Sequence, residues 1–186
     1  MLGAILIFIA ALFIYGVVLF NKLIRSRNRV DTAWSDIDVQ LQRRHDLIPN
    51  LVKAVDQYAA YEKATLATVT ELRTQARNIE NVAARGDLEE ELGAGVHKLI
   101  ALAESYPDLK ANENFMKLQG ELTETENYLQ FARRYYNGSV RDYNTLTEVV
   151  PSNIVASLCR FLPREFFQKS SDDVANVPLV DLGSVE

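Results

Sequence analysis

Cysteine, histidine, glycine and proline are all scarce in this chain, and each scarcity narrows what the protein can be. The single cysteine, Cys159, excludes an internal disulfide framework and a cysteine-rich zinc site. Eight glycines and five prolines among 186 residues favour long uninterrupted elements over a loop-rich β fold. The sequence also has no glycine-rich phosphate loop and no HExxH, GxSxG or CxxC motif, so it encodes none of these common catalytic or redox sites in their usual form.

Acidic residues are missing from the first thirty positions, where the charged side chains are Lys22, Arg25, Arg27 and Arg29. From Asp31 onward the chain has 25 acidic and 16 basic residues. An acidic body of this kind repels phosphate backbones, and we therefore expect no nucleic-acid partner.

The N-terminal run from Leu2 to Phe20 has no charged residue over 19 positions. As a helix it would extend roughly 28 Å, close to the hydrocarbon thickness of a bilayer. A cleaved signal peptide would carry its basic residues before the apolar run, whereas here they follow it. A buried core helix would show a polar face, and this run has none. We therefore predict a retained transmembrane anchor over residues 1–21, with a short external N-terminus.

The basic residues after the run predict the orientation, because Lys and Arg near the end of a span favour the cytoplasmic side. Residues 22–30 are assigned as a basic juxtamembrane segment in which Lys22, Arg25, Arg27 and Arg29 contact lipid headgroups. Residues 31–168 are then a cytoplasmic helical bundle, and residues 169–186 are a polar, loosely ordered C-terminal tail.

Apolar residues beyond Val30 recur in steps of three and four, which is typical of amphipathic helices. The spacing predicts one helix to about residue 83, continuous with the anchor or nearly so. After it the sequence predicts a turn at Arg85-Gly86-Asp87, a helix to about Glu104 and a break at Tyr106-Pro107-Asp108. A long helix from after Ala111 to Val150 comes next, and short helices over 152–161 and 163–168 complete the prediction. The predicted fold class is all-α: an N-terminal transmembrane helix, then an elongated antiparallel helical bundle with long coiled-coil-like helices.

Pro49 interrupts the first predicted helix. It removes one backbone donor, and its ring crowds the carbonyl of His45. A local kink is the expected result. The alternative is that Pro49 begins a second helix after a short break.

Charged and amide side chains fall on or beside the apolar stripes. Because a buried charge must be paired, we expect them to form an interhelical polar network that fixes helix register. Its predicted members are Arg43, Arg44, Asp46, Glu62, Glu113, Glu126, Asn127, Arg133 and Arg134. The alternative makes Glu62 and Glu126 metal-binding or catalytic carboxylates, as in helical di-iron proteins. Those proteins use a Glu-x-x-His spacing, which neither His45 nor His97 provides. We therefore predict no catalytic, cofactor or metal site.

Five blocks of sequence resemble the LemA family. Arg43 to Val52 (RRHDLIPNLV) resembles the family signature, and Tyr106 to Phe115 (YPDLKANENF) is similar to a second element. Three shorter blocks follow in order: ETEN from Glu124, ARRYYN from Ala132, and Tyr143-Asn144. The departures are small: His45 fills a variable position, and Val150-Pro151 stands where many members have Phe-Pro. The resemblance implies a bacterial membrane-anchored helical bundle without a defined activity.

Members of the family are associated with envelope functions and with genes for HtpX-type membrane metalloproteases, and a related magnetosome protein helps to build an internal membrane. The leading hypothesis is therefore a non-enzymatic scaffold of the bacterial cytoplasmic (inner) membrane that self-associates and organises or remodels it. Its expected partners are membrane lipids and further copies of itself. The alternative is an adaptor or quality-control partner of another membrane protein, such as an HtpX-type protease. A helical enzyme with an unrecognised carboxylate site is a third hypothesis.

Overall fold

The computed structural model describes residues 1–59 and 62–167, and these ranges contain helices and no strand. The all-α prediction is confirmed. In chain order the helices are α1 (Leu2–Asp56), α2 (Lys63–Asn78), α3 (Val82–Ala103), α4 (Pro107–Lys110), α5 (Glu113–Glu148) and α6 (Ser152–Leu158).

Helix α1 joins the apolar N-terminal run to the bundle without interruption. Its apolar side chains from Leu2 to Phe20 are almost all exposed, so this segment projects beyond the other helices. Its length and composition suit a membrane span. Burial inside the bundle begins at Leu23 and recurs along one face to Val55. One helix therefore carries both the candidate span and the first wall of the bundle.

Helix α1 continues through Pro49, so the alternative of a second helix beginning there is wrong. Without an N–H group, Pro49 leaves the carbonyl of His45 without its usual helical donor. Arg73 of α2 supplies the missing donor, because its Nε lies 2.7 Å from that carbonyl oxygen. A bend at Pro49 remains a prediction.

The predicted continuous helix to residue 83 is wrong, because α1 ends at Asp56 and α2 begins at Lys63. Both helices are amphipathic, and their apolar residues happen to keep the same spacing across the break. A straight extension would leave Leu66 and Val69 without a partner. Folding back instead buries both against α3, within the same core as Val55.

The predicted turn at Arg85-Gly86-Asp87 is also wrong, since these residues lie inside α3. The helix begins earlier, where the Asn81 side chain accepts a hydrogen bond from the N–H of Ala84 at 2.8 Å. Gly86 is buried, and so marks tight packing rather than a reversal. The break before Pro107 is present, and Asn112 caps α5 through Asn114 and Phe115. A helix over 163–168 is wrong as far as the description extends, because residues 161–166 have no regular structure.

Helices α1 and α5 run antiparallel, as Arg43 pairs with Glu124 and Trp34 contacts Tyr136. The buried apolar residues form two cores along this pair. The proximal core, nearer the N-terminal run, contains Leu23, Val30, Ala33, Ile37, Leu41, Leu129, Tyr136, Val140, Tyr143, Ala156, Phe161 and Phe167. The distal core contains Ile48, Leu51, Val55, Ala59, Leu66, Val69, Leu92, Val96, Leu99, Ala103, Leu109, Phe115 and Leu122. The predicted tail, 169–186, lies outside the described residues.

Candidate functional site

A layer of buried charge separates the two cores. Arg44 and His45 of α1 meet Glu89 of α3, and their relative exposures are 3%, 1% and 0%. The Nε2 of His45 lies 2.6 Å from one carboxylate oxygen of Glu89. Arg44 donates a hydrogen bond to the main-chain oxygen of Glu89 at 3.1 Å, and its NH1 lies 3.6 Å from the other carboxylate oxygen. Two adjacent residues of α1 thus hold one residue of α3 from two sides.

Helix α5 adds Glu126 and Arg133 to this charge layer. A Glu126 carboxylate oxygen lies 3.5 Å from the NH1 of Arg44, so that guanidinium stands between two carboxylates. Burial lowers the pKa of Arg133, and the negative charge of Glu126 acts in the opposite direction. The Arg133 guanidinium also lies over the Phe167 ring, 5.2 Å from its centroid. The layer therefore connects α1, α3 and α5.

Gly93 provides the space that Arg44 occupies. A Cβ atom added at Gly93 would lie 2.7 Å from the NH2 of Arg44, closer than atoms of this kind approach. The guanidinium thus packs directly against the backbone of α3. Beside it is a cavity of about 200 Å³ whose lining includes Arg44, Gly93 and Glu126.

The charge layer pairs two buried basic side chains with carboxylates. Arg44 lies within 4 Å of both Glu89 and Glu126, and His45 lies within 4 Å of Glu89, which is how a bundle tolerates charge in its interior. A shift of α1 by one turn would separate these partners and bury them unpaired, so the layer fixes the register of the helices. Across residues 1–59 and 62–167 there is no group of three or more His, Cys, Asp or Glu side chains placed to hold a metal ion.

The predicted network members are distributed over several environments. Arg44 and Glu126 pair in the charge layer, and Arg133 interacts electrostatically with both. Arg43 pairs with Glu124 at 2.9 Å on the exposed surface. Asp46 accepts a hydrogen bond from Gln42 at 2.8 Å, also on the surface. Arg134 is exposed over the ring of Phe131.

The structure does not place three of the predicted members, Glu62, Glu113 and Asn127, in the buried part of the network. All three are exposed. Glu62 precedes α2 because the long helix ends earlier than its spacing suggested, and Glu113 occupies the first turn of α5. An acidic residue suits that first turn, since the helix N-terminus favours negative charge.

Sequence reasoning missed His45 and Glu89, the two most deeply buried members of the charge layer. The buried residues of α3 include Gly86, Glu89, Leu92, Val96 and Leu99, so Glu89 occupies a regular position on the apolar stripe. A glutamate at such a position signals a buried partner. The sequence pattern hides this signal, because a turn predicted at residues 85–87 starts the apolar stripe at Leu88 and leaves Glu89 outside it.

Two further features lie on the surface. Lys22, Arg25 and Arg29 are exposed next to the apolar run, whereas Arg27 lies over the Phe161 ring at 5.6 Å. Their contact with lipid remains a prediction.

The second surface feature is an exposed apolar area between α1 and α5, here called the mid-bundle patch. The patch consists of Val39, Tyr128, Phe131 and Tyr135, and an open cleft of about 340 Å³ lies beside it.

Comparison with known proteins gives one consistent result. The model of the LemA family matches residues 33–182. Protein LemA of Metamycoplasma hominis is 25% identical over 163 residues, covering 87% of this chain and 74% of the relative. Magnetosome protein MamQ 2 of Paramagnetospirillum magneticum is 23% identical over 176 residues, covering 81% of this chain and 65% of the relative. The MamQ protein of Magnetospirillum gryphiswaldense is 22% identical with the same coverage.

Proposed function

This chain belongs to the LemA family, and from that premise we propose that it is a non-enzymatic scaffold of the bacterial cytoplasmic membrane. In this proposal the N-terminus is external, α1 crosses the bilayer once, and the bundle stands in the cytoplasm. Copies of the bundle associate through the mid-bundle patch and so organise the membrane to which they are anchored.

The observation that carries the proposal is the continuity of α1. A single 55-residue helix includes the exposed apolar run and one wall of both cores. At about 1.5 Å per residue it extends roughly 80 Å. A helix held on one side by α5 transmits position and tilt from the membrane to the bundle, which a flexible linker does not do. Such coupling suits a protein that organises membrane more than it suits a tethered enzyme.

The charge distribution supports the proposed orientation. Basic residues directly after a span favour the cytoplasmic side, and the first thirty residues include four of them and no acidic residue. The magnetosome proteins among its relatives are named for a cellular structure rather than for a reaction. Their names support a structural role.

The mid-bundle patch is proposed as the surface of self-association. Val39 and Phe131 are 62% and 63% exposed, and Tyr128 and Tyr135 extend the apolar area beside them. Because every copy carries the same anchor, the patch lies at the same distance from the membrane in each of them. Val39 follows Phe20 by 19 residues of unbroken helix, which places it roughly 28 Å beyond the apolar run. Copies in one membrane therefore meet with their patches aligned.

Photocrosslinking of the full-length protein in native membranes tests this assignment. A photoreactive amino acid replaces Phe131 in one variant and Met116, another exposed apolar residue of α5, in the control. We expect crosslinked dimers of this chain from position 131 and far fewer from position 116. A dominant crosslink to a different membrane protein would favour the adaptor hypothesis instead. Equal dimer yields at both positions would show that the patch is not the interface.

A protease accessibility experiment on spheroplasts tests the orientation separately. External protease should leave the bundle intact until the membrane is permeabilised. Digestion within residues 31–167 on intact spheroplasts would overturn the proposed topology.

A further inference from the structure

The end of the bundle beside the anchor exposes a set of large apolar side chains that neither core uses. Val150 and Leu158 are 76% and 84% exposed, and Ile154 and Leu162 are also well exposed. We infer that this surface, here called the α6 face, lies in the interfacial region of the same bilayer that α1 crosses. The inference rests on the proposed membrane anchor and assigns a second, peripheral contact with lipid.

The position of the α6 face follows from the pairing of α1 with α5. Trp34 contacts Tyr136 across these antiparallel helices. Lys22 precedes Trp34 on α1 by as many residues as Glu148, the last residue of α5, follows Tyr136. Because the helices are antiparallel, Glu148 lies at the level of Lys22. Helix α6 comes after that point. Phe161, just beyond α6, contacts the ring of Phe20 at a centroid distance of 5.6 Å, and Phe20 ends the apolar run. The α6 face is therefore at the membrane level of the anchor.

Helix α6 also departs from the pattern expected for a surface helix in water, although its Val155 packs on the proximal core. Its small residues Ser152 and Ala156 are buried against the bundle. Its large apolar residues Ile154 and Leu158, which are four apart and share one face, point outward. A water-exposed helix normally turns its large apolar residues inward. An outward apolar face at the level of a bilayer is typical of an element that lies in the membrane interface.

The charge of this segment matches an anionic membrane surface. Residues 149–164 contain no acidic residue, although the chain from Asp31 onward is acidic, and they include Arg160. Arg164, also in this range, pairs with Asp31 at 2.9 Å. Arg160 is exposed and has a φ of 56°, a left-handed conformation that normally favours glycine at the end of a helix. Basic residues near an anionic leaflet are attracted to it, and the exposed Lys22 and Arg25 add positive charge at the same end of the bundle.

Cys159 allows the inference to be tested in the intact chain, because it is the only cysteine in the sequence and is exposed at the end of α6. The full-length protein is labelled there with an environment-sensitive fluorophore and reconstituted into nanodiscs containing anionic lipid. Nitroxide lipids then report depth. Two controls in a Cys159→Ser background carry the label elsewhere: Ala11→Cys within the anchor, and Ser105→Cys in the exposed turn between α3 and α4.

We expect the fluorescence at position 159 to be quenched more strongly by a nitroxide near the lipid headgroup than by one near the end of the acyl chain. Position 11 should be quenched by the deep nitroxide, and position 105 by neither. Adding Leu158→Glu and Leu162→Glu should abolish the lipid quenching at position 159, whereas Met116→Glu, at an exposed apolar residue outside both surfaces, should not change it. Thermal unfolding of each variant confirms that the bundle remains folded.

Each remaining outcome has a distinct meaning. Quenching at position 11 without quenching at position 159 would overturn the α6 face as a lipid contact while leaving the anchor intact. No lipid quenching at either position would remove the anchor and with it the proposed function. A probe at position 159 that is shielded from aqueous iodide but not quenched by lipid would show that protein covers the face, which also overturns the inference.

Discussion

The proximal and distal cores are built from the same two long helices but are closed in different ways. In the distal core, helices α2, α3 and α4 cover the pair with mostly aliphatic side chains, and their backbone groups bond within each helix. In the proximal core the cover includes residues 161–167, which have no regular structure and are held by polar side chains of α5. The backbone of this closing segment obtains from side chains the hydrogen bonds that a helix makes internally.

Four residues of α5 provide that support. Tyr136 and Tyr143 donate hydroxyl hydrogen bonds to the carbonyls of Glu165 and Leu162 at 2.9 and 3.0 Å. Asn137 and Asn144 each bond both main-chain groups of one residue, Phe167 and Arg164 respectively. The comparison indicates that the distal core depends on packing, the proximal core on specific hydrogen bonds, and the relation between them on the charge layer.

The largest expected effect comes from breaking the charge layer. Arg44→Met leaves the Glu89 carboxylate buried without its guanidinium partner, which should lower the free energy of unfolding by about 3–5 kcal/mol. Arg43→Met is the matched control, because its pair with Glu124 is exposed and should contribute about 0–1 kcal/mol. Urea unfolding of the detergent-solubilised protein measures both. Hydrogen exchange should show α2 and α3 losing protection before the proximal half of α5. Equal losses in the two variants would refute a special role for this layer.

The next effect is confined to the proximal core. Asn137→Ala removes two hydrogen bonds to Phe167 and leaves its backbone groups unsatisfied, at an expected cost of about 2 kcal/mol. Trp34, the only tryptophan, has its ring 5.9 Å from that of Phe167, so its emission should shift to the red as the closing segment loosens. Asn127→Ala on the exposed face of α5 should change neither quantity. An unchanged tryptophan spectrum in the Asn137 variant would contradict the proposed clamp.

Gly93 provides a smaller effect on the distal side of the charge layer. Gly93→Ala places a methyl group against the Arg44 guanidinium and should lower the free energy of unfolding by about 1 kcal/mol. Gly120→Ala, on α5 with open space around its Cβ position, should instead raise it by about 0.5–1 kcal/mol through helix propensity. Thermal denaturation followed by circular dichroism distinguishes the two signs. Stabilisation in both variants would mean that Arg44 moves aside freely.

The sequence predicted well what depends on local composition and less well what depends on tertiary pairing. The apolar run, the all-α class, the break before Pro107 and the long α5 each have a signal within a few residues. The reversal after Asp56 has no such signal, because the apolar spacing continues across it and only the packing of α2 on α3 decides the direction. For the same reason Glu126 and Arg44 were identified as paired charges, while their partner Glu89 was not. A side chain's partner on another helix is set by how that helix folds back, and spacing along one helix does not contain this information.

The last prediction tests the hydrogen-bonded character of the proximal core through its pH dependence. Burial raises the pKa of Tyr136 and of Tyr143 above the ordinary value of 10.0. Above pH 10 the unfolded chain releases phenolic protons that the folded protein retains, so the folded state binds more protons and loses stability as pH rises. Their contribution is therefore intact below pH 10 and declines above it. Tyr143→Phe and Tyr136→Phe should each reduce the slope of stability against pH in this alkaline range. Urea unfolding between neutral pH and the alkaline limit of the assay measures the slopes. If both variants kept the slope of the parent protein, the alkaline loss would arise elsewhere, and the contrast between the hydrogen-bonded proximal core and the packed distal core would have to be abandoned.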